Sequence, residues 1–141
     1  MLFRSLGTAQ VAAVSTKDIS SLSTTQLSAL PVTSLSATQV SALTSTQIGS
    51  ISTTSFASLS ATQIGAITSA QVVGLTSAQL GGLNSTQIAA LSTKDIPELT
   101  TTTLDNLSTS SLAMLTYAQV SSMTSVQVHS LSTTQIGSLQ V

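Results

Sequence analysis

Large apolar residues occupy two of every eight positions along this chain. From Leu35 to Ser138 the spacing runs through thirteen consecutive units without an insertion. The units begin at Leu35, Leu43, Ile51, Leu59, Ile67, Leu75, Leu83, Leu91, Leu99, Leu107, Leu115, Met123 and Leu131. Three earlier units begin at Leu6, Val14 and Leu22, and an irregular segment, Leu30-Pro31-Val32-Thr33-Ser34, separates the two sets. The first position is aliphatic or Met and the sixth is apolar in all sixteen units. The second is Ser, Thr or Asn in fifteen units (Gly7 is the exception), and the fifth is Gln in eleven. Asp18 and Asp95 replace that Gln in two units, and Ser55, Thr103 and Ser111 in the others.

This octad does not fit a continuous element. Positions one and six have opposite parity, so they would face opposite sides of a strand. A continuous α-helix would turn the apolar pair by about 80° per octad and leave no fixed buried stripe. A helix restarted in every unit does fit. Ser or Thr followed three residues later by Gln is a capping box, and the apolar residues on either side occupy the sites of a hydrophobic staple. In Leu43-Thr44-Ser45-Thr46-Gln47-Ile48, Leu43 is placed to pack against Ile48 across the helix start. Gly49, Gly65, Gly81 and Gly137 at position seven, with Gly74 and Gly82 at position eight, suit the chain's exit from each helix. Pro97 enforces that exit in its own unit by removing an amide donor.

The pattern therefore predicts an all-α solenoid of about sixteen very short helices, forming one domain over residues 1–141. Helices this short are unstable alone, so stacking must hold them, with two buried apolar side chains per unit as the driving force. Small residues at positions seven and eight would let neighbouring backbones approach closely. Pro31 predicts a bend or a change of stacking at residues 30–34. The alternative is a β-solenoid, which the many Thr, Val and Ile favour. It gives no reason for Gln or Asp three residues after the Ser or Thr.

Composition narrows the function. Ser and Thr number 52, while charged residues make up 5% and aromatics 2%, with no Cys. The hydrophobic content, 41%, separates the chain from disordered Ser- and Gln-rich tracts. Its apolar runs are too short for a membrane span. A net charge of −1 gives little repulsion between molecules, and three scattered basic residues form no patch for nucleic acid. The opening Met1-Leu2-Phe3-Arg4-Ser5 lacks the apolar core of a secretory signal, so export would take another route or start from a longer precursor.

The stretch Leu-Ser-Thr-Thr-Gln-Ile-Gly-Ser-Leu, 131–139, resembles the low-complexity repeat arrays of large bacterial secreted and cell-surface proteins, often labelled adhesin-like. The resemblance implies an extracellular or cell-surface setting and a scaffold role. It brings no catalytic residues.

Chemistry is sparse. His129 has no Cys, Asp or Glu in its own or adjoining octads, so it is expected to be a surface residue. The serines lack an adjacent base and an orienting third group. Asn84 and Asn106 head glycosylation sequons, but they suit a helix cap and a turn. No enzyme activity and no cofactor are expected. The chain starts and stops on apolar repeat residues, which predicts head-to-tail addition of copies into an open filament. The residues expected at such contacts are Leu2, Phe3, Leu139 and Val141, with the charged pairs Lys17-Asp18 and Lys94-Asp95. For the two Asp, the helix dipole offers a simpler reading. The expected function is thus a self-assembling subunit of an extracellular filament, tube or sheath. Its partner would be itself, with lateral as well as head-to-tail contacts. The alternatives are a module that binds ice or carbohydrate through its regularly spaced Thr, and a passive stalk within a larger adhesin.

Overall fold

Each octad builds one helix, and its second residue starts it. A computed structural model describes residues 6–140. Among them are fifteen α-helices of four to six residues and two 3-10 turns, with no strand, so the β-solenoid is excluded. In Ser45–Ser50, Thr44 is the N-cap. Its Oγ1 accepts from Gln47 N at 3.1 Å, and its own N–H donates to Gln47 Oε1 at 2.8 Å. Nine octads complete both halves of this box. Gly7 has no side chain, so only the Gln10 half forms there. At the other end, Ser50 Oγ donates to Gln47 O at 2.7 Å, and Ser122, Ser130 and Ser138 repeat that bond in their own units. Side chains thereby satisfy groups that a short helix leaves open at both termini.

The expected exit at position seven or eight holds for part of the helices, and none of it is left-handed. No described residue, glycine included, has a positive φ. In six α-helices the C-cap is the extended apolar residue at position one, as at Leu43 with φ −64° and ψ 146°, and in the others it is a residue at position seven or eight, such as Gly82. A staple residue buried against the core already holds the chain extended there, so no left-handed cap is needed. Gly49 and Gly74 serve packing instead. A Cβ on Gly49 would come within 2.5 Å of Gly74 O, and one on Gly74 would collide with Ser45 O.

Helices stack on those three octads further along the chain. Ala37–Ala42 packs on Ala61–Gly65, which packs on Ser85–Ala90, and Thr109–Leu112 packs on Thr133–Ser138. One turn of the coil therefore takes about three octads. The apolar residues of positions one and six form one continuous core, with Ile48, Phe56, Ile64, Ile96 and Leu104 fully enclosed. Each such side chain contributes roughly 1.5–3 kcal/mol on burial, which supplies what short helices lack.

Residues 30–34 act as an abbreviated unit. Pro31 precedes a 3-10 turn, Val32–Ser34, and Leu30 and Val32 are buried where positions one and six belong. The local helix changes, but the stacking scheme continues through it. A second 3-10 turn, Ile96–Glu98, replaces the α-helix of the octad that contains Pro97, which has no N–H to close an α turn.

Candidate functional site

The position-five glutamine does more than cap its own helix. Its Oε1 is held by the cap N–H, which aims Nε2 across the coil at the preceding turn. Gln79 Nε2 donates to Ile48 O and Ile51 O, both at 2.8 Å. Gln71 bridges Val40 O and Leu43 O, Gln119 bridges Ile88 O and Leu91 O, and Gln127 bridges Ile96 O and Leu99 O. Nine glutamines make such a rung. The acceptors are a carbonyl at position one and one at position six or, for Gln87, seven, where the chain passes from one helix to the next. The position-one carbonyl is turned out of the helix and depends on this amide for its bond. Across the abbreviated unit the scheme persists: Gln47 reaches Ile19 O at 2.9 Å and Leu22 O at 2.7 Å.

Sequence reasoning identified the capping half of these glutamines and missed the rung. The available signal was a preference for Gln over Glu, since a capping box accepts either while only the amide can donate. No buried side-chain nitrogen or oxygen among the described residues lacks a hydrogen-bond partner.

The ladder makes the two faces of the coil unlike. At the first described turn, Gln10 and Gln26 are exposed; each Oε1 caps its own helix, and each Nε2 has no acceptor among the described residues. At the last turn, Met123 O and Leu131 O have no side-chain amide donor among the described residues. Val120 and Val128 are half-buried there, and Ile136 is 42% exposed, although position six is closed in the middle of the coil. Among the described residues, the first turn thus leaves amide donors unused, and the last turn leaves carbonyl acceptors and apolar side chains uncovered.

The expected contact residues are distributed unevenly over this frame. Leu2, Phe3 and Val141 lie outside the described residues. Leu139 is buried in the core, and Lys17, Asp18 and Lys94 are exposed. Asp18 sits in the first turn of the helix Thr16–Ser21 and accepts from Ser15 Oγ at 2.7 Å, as the dipole reading expects. Asp95 differs. It is buried just ahead of the Ile96–Glu98 turn and accepts from Ser69 Oγ, 2.6 Å away on the neighbouring turn. Two identical pentapeptides, residues 15–19 and 92–96, thus have different environments, because Asp18 lies at the exposed first described turn while Asp95 lies at an inner turn with Ser69 packed against it.

His129 is exposed, with Nδ1 2.6 Å from Ser125 O. Asn84 caps the helix Ser85–Ala90, and Asn106 follows Thr101–Asp105 with its amide on Thr102 O. No group of three His, Cys, Asp or Glu side chains among the described residues lies close enough to hold a metal. Among the described residues no helix is long and apolar enough to cross a membrane.

No curated protein and no solved structure matches the chain. The model of one family, the ALTTAQ repeat, matches residues 64–93 and again residues 72–101, two copies offset by one octad. By that match and by its fold, this is an all-helical repeat protein.

Proposed function

We propose that the chain is a structural, non-catalytic subunit whose coil continues from molecule to molecule as a filament, at the cell surface or outside the cell. The observation that carries this reading is the complementarity of the two coil faces. Gln10 and Gln26 present amide donors of the kind that nine glutamines supply between inner turns, and the turn containing Val120, Val128 and Ile136 presents carbonyls and apolar side chains of the kind those rungs cover. A contact that repeats in one direction without closing generates an open fibre. Low charge adds to this, since a net charge of −1 opposes association only weakly.

Light scattering and electron microscopy of the purified chain over a rising concentration series test the reading. The expected result is fibres that lengthen with concentration while the helical circular dichroism stays constant. A chain that remains monomeric at high concentration and forms no fibres overturns it.

A further inference from the structure

The ladder lacks a rung at Ser55, and a cavity marks the place. Gln47, one octad earlier, bridges Ile19 O and Leu22 O. Eight residues on, the equivalent acceptors for residue 55 are the carbonyls of Leu27 and Leu30. A serine side chain is too short to span that distance. Its hydroxyl instead accepts from Ser52 Oγ at 2.9 Å. Between these groups lies a partly open cavity of about 110 Å³, lined by Leu27, Leu30, Val32, Ile51, Ser52 and Ser55 among others. That is room for a few waters or for a small organic group.

The backbone groups at the cavity are those that a glutamine amide meets elsewhere. Ser52 N–H, the cap donor, has no acceptor among the described residues, whereas Thr44 N–H and Ser60 N–H each reach a Gln Oε1. Leu30 O has no donor among the described residues, whereas Leu22 O and Leu35 O each receive a Gln Nε2. Two departures from the repeat meet here: the missing glutamine at residue 55, and the abbreviated unit 30–34 that supplies Leu30 and Val32.

We propose that this cavity binds a primary carboxamide carried on a short apolar stem. The chain presents that fit in each of its nine rungs. The amide oxygen accepts from Ser52 N–H, the amide nitrogen donates to Leu27 O and Leu30 O, and the stem lies against Leu27, Val32 and Ile51. A carboxylate of the same size has no N–H to give and brings its charge against two carbonyl oxygens with no counter-charge. Two sources carry the group, a free small molecule and a glutamine side chain of a second copy.

The test is a titration of the full chain with propionamide, followed at the backbone amide resonances of Ser52 and Ser55. The expected result is a saturable shift with a dissociation constant on the order of millimolar, as suits so small a ligand. Propionate at equal concentration produces no such shift. Ser55→Gln abolishes the response and raises Tm, because its own amide fills the cavity. A shift of the same signals on concentrating the protein without additive assigns the site to a second copy's glutamine. Three results overturn the proposal: no saturable shift with propionamide, an equal response to propionate or in the Ser55→Gln chain, or a Ser55→Gln chain less stable than the original.

Discussion

Gln79 donates its side-chain amide to the carbonyl oxygen of Ile51, 28 residues back along the chain, at 2.8 Å. The same side chain accepts from Thr76 N–H at 3.0 Å, so one amide starts a helix and ties two turns of the coil together. The two duties can be separated by mutation.

Gln79→Ala removes both. It leaves Ile51 O buried without a donor and opens a gap between turns. Unsatisfied buried groups cost about 1–3 kcal/mol each, so a loss of roughly 3–5 kcal/mol is expected. Gln26→Ala, at an exposed position where only the capping bond is lost, should cost about 1 kcal/mol or less. Urea unfolding of both variants measures the difference. Equal losses would mean that the rungs contribute little beyond the caps.

Gln79→Glu keeps the capping acceptor and removes the donor. The new carboxyl is buried and faces two carbonyl oxygens, which raises its folded pKa above the unfolded value of about 4.3. When protonated it can donate to one of those carbonyls. The variant should therefore approach the original chain's stability below pH ~4 and lose it as pH rises through the folded pKa. Thermal melts of both chains between acid and neutral pH follow this, the original chain with its four carboxylates serving as the baseline. A variant that becomes more stable toward neutral pH would contradict the geometry.

Gly74→Ala and Gly137→Ala should change stability in opposite directions. A Cβ at Gly74 collides with the rigid backbone of Ser45, so a loss of about 1–3 kcal/mol is expected. At Gly137 nothing lies within 4 Å and the backbone is helical, so Ala should stabilise by up to about 1 kcal/mol. Comparing the two Tm values checks whether glycine serves close packing here. Similar effects at both sites would refute it.

Ile136→Lys places a charge on the open face of the last turn without disturbing the closed core, since Ile136 is already 42% exposed. The monomer should keep its circular dichroism and its Tm to within about 0.5 kcal/mol of stability. The critical concentration for assembly should rise by an order of magnitude or more, read by light scattering. Unchanged assembly would remove this face from the proposed contact.

The helix count, the helix starts and the pair of core positions could all be read from the octad. Each depends on residues within six positions of one another, and capping and staple chemistry are local. What could not be read was the second use of the glutamine. Nothing local to Gln79 says that Ile48 and Ile51 lie opposite it, because that follows only once three octads close a turn. The glycines were assigned a local role for the same reason. Gly49 and Gly74 are 25 residues apart, and their contact exists only between turns. Asp18 and Asp95, alike in sequence, differ because Asp95 lies at an inner turn, against Ser69 of the turn before it, and Asp18 at the exposed first described turn.

The sequence alone determined that this protein is a string of short helices, because an octad carrying its own start signal admits neither a strand nor a continuous helix. The tertiary structure decided how the string is wound, which carbonyl each amide reaches, and where a rung is missing. Those outcomes depend on the pitch of the coil, which many weak contacts set together and no single octad encodes.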